Sequence, residues 1–157
     1  MTNNLINDKK IRDQIVYYIK DLFKEVNQEI ILKYFNNLNS NDISTKTSDD
    51  DFVSIADKKS EELICKKLLG FLNVKKFIGE EASYLNNKQY ITLLNEPLVW
   101  VVDPIDGTKN YINGKDTFCS MISLVSFSIP IATFIYYPLK NIYVYGFKGF
   151  GAYSMNI

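Results

Sequence analysis

The stretch Leu98-Val99-Trp100-Val101-Val102-Asp103-Pro104-Ile105-Asp106-Gly107-Thr108 joins five consecutive apolar residues to two carboxylates spaced i, i+3 around a proline. An unbroken apolar run of this length predicts a strand covered on both faces, ending at Asp103-Pro104. Pro104 fixes its own φ, so a stiff turn aims the two acids. Gly107 lets the backbone approach a ligand closely, and Thr108 can open a helix whose free N–H groups face an anion. Carboxylate and carbonyl oxygens are the hard ligands that Mg²⁺ prefers. For the bare Asp-Pro-x-Asp motif the structural alternative is that both acids only cap a helix after a strand–helix turn.

Working outward, Lys9 to Leu38 carries apolar residues at three- and four-residue steps (Ile11, Ile15, Tyr18, Ile19, Leu22, Phe23, Val26, Ile30, Tyr34) and predicts one long helix. The polar run Asn36 to Asp51 breaks that pattern with turn and cap formers. A second helix is expected from Ile55 or Ala56 to Phe71, weakened at its end by Gly70. Beyond it the chain reads as strands: Val74 to Ile78, Leu98 to Val102, Thr117 to Phe127, Ile131 to Tyr137 and Asn141 to Phe147. Gly149 and Gly151 then precede the start of another.

The 157 residues suit one globular domain, and 18 basic against 18 acidic side chains leave no excess of either sign for a nucleic-acid partner. There is no histidine, which removes the commonest general base and metal ligand. Any chemistry must run on carboxylates, hydroxyls, amines or bound metal. Cys65 and Cys119 have no metal-ribbon spacing and point to a reducing compartment; with no apolar leader at Met1 to Lys10, a cytoplasmic location is expected. Thr117 to Leu139 is free of charge and long enough to span a bilayer. Its Ser and Thr residues, the central Pro130 and its β-branched and aromatic content instead predict two buried strands joined near Ser128-Ile129-Pro130, with no membrane partner.

Two weaker signals share the character of the first. Gly79-Glu80-Glu81 places acids after a short apolar strand, and Asp51-Phe52-Val53-Ser54-Ile55-Ala56-Asp57 leads into the second helix. Alone, the former is an ordinary surface turn, and Asp57 a helix N-terminal acid favoured by the macrodipole. Together and in this order with Asp103-Pro104-Ile105-Asp106-Gly107-Thr108-Lys109-Asn110-Tyr111, they resemble the inositol monophosphatase family of Mg²⁺-dependent, Li⁺-sensitive phosphomonoesterases. The family's marks are a (D/P)-x-V-T-x-x-D segment, GEE and DPIDGTxNF. The resemblance extends from the first helix to Gly151-Ala152-Tyr153, similar to the family's GAF segment.

The resemblance implies an α+β architecture, two helices layered on a mainly antiparallel sheet, as in the N-terminal half of the sugar-phosphatase fold. It implies that Glu80, Asp103 and the carbonyl of Ile105 bind one Mg²⁺, with Asp103 bridging to a second that Asp106 also holds. Thr108 would hydrogen-bond the attacking water, oriented in turn by Asp57. The N–H groups of Gly107 and Thr108 would hold the substrate phosphate, while Lys46 and Glu81 stand behind the ligands. Bound metal acidifies water without an imidazole, and phosphoryl transfer asks mainly for positioning and charge neutralisation. Like-charge repulsion among Asp57, Glu80, Asp103 and Asp106 is expected to raise some of their pKa values when metal is absent.

Family members carry a C-terminal half with a W-D-x-x-A-G segment that completes the second metal site; the one tryptophan here, Trp100, lies elsewhere. The chain is therefore expected to represent the N-terminal half alone, as a single domain. Its substrate is expected to be a small phosphorylated metabolite of the inositol phosphate kind. The alternatives are a 3′(2′),5′-bisphosphate nucleotidase, for which Lys109 after Asp-Gly-Thr speaks, and a truncated, non-catalytic remnant or split subunit. A homodimer or a complementary C-terminal fragment would cover the apolar sheet face. Ser54, Tyr111 and the 127–130 turn depart from the family's usual Thr, Phe and Asp-Gly.

Overall fold

In the computed structural model, which describes residues 2–46, 51–83 and 92–157, the apolar stripe Ile15, Val16, Ile19, Leu22, Phe23 and Val26 belongs to α1, Lys9–Val26. Asp8 starts this helix by accepting from the Lys10 N–H at 2.8 Å. The helical path stops short of Leu38. It widens into a π-helical turn, Asn27–Ile31, and closes with Leu32–Tyr34 before Phe35 becomes extended. The wider turn lets Asn27, Ile30 and Ile31 all face the core. It also offers the Ile31 carbonyl to the Tyr111 hydroxyl at 2.7 Å.

The polar run that follows, which composition marks only as turn, holds a short hairpin. Strand β1, Ile43–Thr45, pairs antiparallel with β2, Phe52–Ser54. Residues 47–50 lie outside the described residues. β2 leads directly into α2, Ile55–Leu68, whose start is a capping box: Ser54 bonds the first-turn N–H groups and Asp57 reaches back to Ser54. This helix ends three residues before Phe71 because Gly70 turns the chain at φ 91°.

Six strands then form one sheet in chain order: β3 Phe77–Gly79, β4 Val99–Asp106, β5 Cys119–Ser126, β6 Ile129–Tyr137, β7 Ile142–Phe147 and β8 Gly151–Asn156. β3 and β4 run parallel and every other neighbouring pair is antiparallel. Two short helices sit at strand ends: α3, Glu80–Ser83, after β3, and α4, Thr108–Ile112, after β4. The expected α+β layering of two helices on a mainly antiparallel sheet is thus the fold found.

β4 does not stop at Asp103-Pro104. Pairing with β5 slips between Asp103↔Met121 and Asp106↔Cys119, so Pro104 and Ile105 form a bulge and the strand runs on to Asp106. A residue without an N–H is tolerated at such a slip, and the Ser120 hydroxyl fastens it by donating to the Pro104 carbonyl at 2.7 Å. The uncharged segment 117–139 is mostly β5 and β6. They turn at Phe127-Ser128, both at positive φ, a little earlier than the proline suggests, with Pro130 inside β6. Among the described residues no helix is long and apolar enough to cross a membrane.

Strand alternation divides the sheet. Trp100, Ile122, Leu124, Phe134 and Tyr143 pack in one core with Ile15, Ile19, Phe23 and Ile64 from α1 and α2. The opposite face, with Val101, Met121, Ser123, Thr133 and Ile135, is only half-buried. Phe134→Ala, between Tyr143 and Phe147, is expected to cost about 3–5 kcal/mol in urea unfolding. Its neighbour Ile135→Ala, on the half-buried face, should cost less than half as much.

Candidate active site

The register of the parallel pair builds the site. Gly79 lies opposite Val102, so the next residues, Glu80 and Asp103, leave the same end of the sheet side by side. Their carboxyls are in direct hydrogen-bonding contact. Asp103 Oδ1 is buried with no hydrogen-bond partner among the described residues. Burial foremost, then the contact with Glu80, then the charges of Asp106 and Asp57 hold the Asp103 carboxyl well above the usual carboxylate range. Desolvation leads, the hydrogen bond with Glu80 follows, and the expected like-charge repulsion comes after both.

Lys46, just past β1, answers part of this negative charge. Its Nζ stands 2.8 Å from Glu80 Oε1 and 2.8 Å from Glu81 Oε1. The first contact has hydrogen-bond geometry; the second is an ion pair by distance. Burial works against the ammonium, but the two carboxylates outweigh it and hold Lys46 charged. Glu81 is itself pushed up to about 7 by burial, against the pull of Lys46.

A second group of expected residues meets around Asp57. One carboxylate oxygen accepts from the Ser54 N–H at 2.9 Å and the Ser54 hydroxyl at 2.5 Å; the other accepts from Thr108 Oγ1 at 3.0 Å. Thr108 Oγ1 is equally 3.0 Å from the Ile105 carbonyl. Asp57 is fully buried; that burial raises its pKa, and the bonds from Ser54 and Thr108 partly offset it. Asp57 thus acts both as helix cap and as partner of the Asp-Gly-Thr turn. Gly107 makes that turn at φ 91°, where a Cβ would also come within 3.0 Å of the Thr117 carbonyl.

Asp106 stands less close in than the other acids. It is exposed, and its Oδ2 accepts a weak hydrogen bond from the Cys119 thiol at 3.7 Å. Burial, with Asp106 beside it, pushes that thiol up to about 12, so Cys119 is an inert neighbour. Among the described residues no three carboxylates or thiols form a ready metal cage. What the chain does offer a hard cation is the Glu80–Asp103 pair, an unpartnered buried oxygen on Asp103 and the Ile105 carbonyl. That donor set fits Mg²⁺. A cavity of about 290 Å³ opens beside the pair, lined also by Val101, Met121, Ser123 and Thr133.

Glu61 was not singled out by its sequence context, yet it is buried one turn beyond Asp57 on α2. It accepts from the Glu81 and Ala82 N–H groups at 2.7 and 2.8 Å. Its i+4 spacing from Asp57 was the available signal, since both then share one helix face.

With this geometry described, the comparisons assign the chain: it belongs to the inositol monophosphatase family, whose model matches residues 12–156. It is 34% identical over 125 residues to a fructose-1,6-bisphosphatase/inositol-1-monophosphatase of Aquifex aeolicus, covering 80% of this chain and 44% of that protein. It is 38% identical over 103 residues to inositol monophosphatase 1 of Solanum lycopersicum, covering 66% and 37%. The solved structure of a Thermotoga maritima IMPase superposes with a TM-score of 0.76 at 20% identity, over 92% of this chain and 52% of that one, which shows a shared fold. The chain spans less than half the length of these two curated relatives.

The buried acids set a pH dependence whose sign is fixed. Asp103 and Glu81 have folded pKa values above their ordinary 3.8 and 4.5. The folded state therefore binds more protons than the unfolded one, and stability falls with rising pH. It is fully present below about pH 4 and is lost as pH rises through about 7, Asp103 extending the loss further. Melting in EDTA is expected to show a Tm lower at pH 8 than at pH 5 by on the order of 5 °C. Mg²⁺ should recover most of the fall, and Asp103→Asn should flatten it.

Proposed function

We propose that this chain hydrolyses a small phosphate monoester, of the inositol phosphate kind, in a Mg²⁺-dependent reaction. The observation that carries this reading is the contact between the Glu80 and Asp103 carboxyls, with a buried Asp103 oxygen left over, beside the Asp57–Thr108 pair. Two carboxylates pressed together in a partly dry site favour a cation, and membership of the inositol monophosphatase family supports reading the chemistry as phosphate-ester hydrolysis.

Glu80, Asp103 and the Ile105 carbonyl would hold one Mg²⁺, and Asp103 with Asp106 a second. When bound, such ions supply charge neutralisation and make water acidic enough to attack near neutral pH. The remaining work falls to the chain. Thr108 has one hydroxyl proton and two acceptors within reach, Asp57 and the Ile105 carbonyl. If the Ile105 carbonyl held a cation, the Thr108 hydroxyl would donate to Asp57. The lone pairs of Oγ1 are then free to accept from the attacking water and orient it. Asp57, locked by Ser54, fixes the direction of that bond, so Asp57 positions while Thr108 touches the reacting water. The N–H groups of Gly107 and Thr108 would receive the phosphate oxygens, fixed donors that need no reorganisation during transfer. Lys46 and Glu81 would hold Glu80 in place from behind.

Phosphate release from inositol 1-phosphate and from p-nitrophenyl phosphate, measured with Mg²⁺ and with EDTA, tests the reading. Turnover should require Mg²⁺ and disappear in Asp103→Asn. Thr108→Ala should lower kcat about 100-fold with a smaller change in KM. Turnover that persists in EDTA or in Asp103→Asn would overturn it, as would a folded chain with none at all. Faster release from a 3′,5′-bisphosphate nucleotide would reassign the substrate.

A further inference from the structure

Glu61 has no place in the reaction just described, yet three observations set it against the turn that carries Glu80. Its side chain is buried, with 6% of the residue exposed. Its two carboxylate oxygens accept from two successive backbone N–H groups, those of Glu81 at 2.7 Å and Ala82 at 2.8 Å. And Gly79, the residue before Glu80, owes its place to the same side chain. A Cβ built there would lie 2.3 Å from Glu61 Cδ and 2.5 Å from each oxygen. No left-handed backbone is involved; a side chain at this position would have to push the Glu61 carboxylate aside.

We infer that Glu61 is a positioning residue for the metal ligand Glu80: it clamps the Gly79–Ala82 turn from behind and so fixes where the Glu80 carboxylate emerges. Both oxygens of an ionised carboxylate are acceptors, which matches two N–H groups pointing the same way. The Glu81 and Ala82 N–H groups lie in the first turn of α3, where backbone donors have no partner within the helix, and the clamp supplies acceptors for them. Asp57 and Glu61 are one turn apart on α2. A single helix face therefore sets both loops, Asp57 taking the Asp-Gly-Thr turn through Thr108 and Glu61 taking the Gly-Glu-Glu turn. This inference rests on the proposed metal role of Glu80, but the clamp itself can be measured without any metal.

The near-isosteric Glu61→Gln is the informative variant, because it keeps the volume and replaces one acceptor with an N–H₂ that faces a donor. Amide hydrogen exchange of the metal-free chain reads the clamp directly. The Glu81 and Ala82 amides should lose protection in Glu61→Gln, while those of β4 and β5 keep theirs. Mn²⁺ titration of the same proteins by electron paramagnetic resonance reads the consequence. Glu61→Gln should bind Mn²⁺ at least about tenfold more weakly, whereas the exposed neighbour Glu62→Gln should match the unsubstituted chain. Gly79→Ala should reproduce the loss, since its methyl group displaces the Glu61 carboxylate. Unchanged protection at Glu81 and Ala82 overturns the clamp. Lost protection with Mn²⁺ affinity within twofold of normal overturns the positioning role. If the unsubstituted chain binds Mn²⁺ no better than Asp103→Asn, the metal reading of Glu80 fails, and the exchange result still decides the clamp.

Discussion

The site depends first on the parallel pairing of β3 with β4, the one parallel contact in an otherwise antiparallel sheet. Antiparallel neighbours send their ends in opposite directions; parallel neighbours deliver theirs to the same edge. With Gly79 opposite Val102, the residues that follow are both acids and arrive together. A slip of one residue in β3 would put Gly79 or Glu81 beside Asp103 and turn the intended side chain to the other face. Only three residues of β3 pair with β4, so the ladder alone is a weak determinant of register. The added determinants are the space that Glu61 requires at Gly79 and the buried packing of Ile78 against Val99 and Val125.

Holding these acids together works against folding. Burial raises Asp57, Glu61, Glu81 and Asp103 alike, and each raised carboxyl is a group the folded state would sooner keep protonated. The chain offsets this unevenly. Asp57 receives three hydrogen bonds and Glu61 two backbone N–H groups, while Glu81 has the Lys46 ammonium. Asp103 is the exception: its Oδ1 has no hydrogen-bond partner among the described residues. Where a buried carboxylate oxygen is left open at a convergence of negative charge, a cation is the economical completion. The uneven satisfaction also distinguishes the acids: Asp57 and Glu61, whose oxygens receive hydrogen bonds, hold turns, while Asp103 lines the cavity.

Much of this was legible in the letters, for identifiable reasons. The helical stripes of α1 and α2 and the apolar runs of β4 to β7 announce themselves by period and composition, so the layered α+β fold could be anticipated. The three acid-bearing motifs marked Asp57, Glu80, Asp103 and Asp106, and the structure draws their segments to one end of the sheet. The failures are local. The β1–β2 hairpin hides in a polar run because its strands are three residues long and half exposed. The π-helical turn at Asn27–Ile31 follows from tertiary demand on three inward-facing side chains, which propensity does not encode. Pro104 looks like a strand stop, yet the sheet absorbs it as a bulge once Ser120 supplies a bond to its carbonyl. For Glu61 the letters offered only its i+4 spacing from Asp57, because its partners are backbone amides twenty residues away.

The absence of histidine sharpens what the remaining groups must do. A histidine-based site combines orientation and proton acceptance in one ring. Here the two duties fall on different atoms. Thr108 cannot accept a proton outright at neutral pH, and Asp57, although a carboxylate, is sealed behind Ser54 and Thr108 with no exposed surface of its own. In the proposed reaction Asp57 would therefore pass on direction and not a proton: as acceptor it draws the Thr108 hydrogen inward and would turn the hydroxyl lone pairs outward. Such a relay needs an immovable acceptor more than a basic one. A fully buried aspartate, held by its own helix cap, would serve such a relay better than an exposed acid of equal strength.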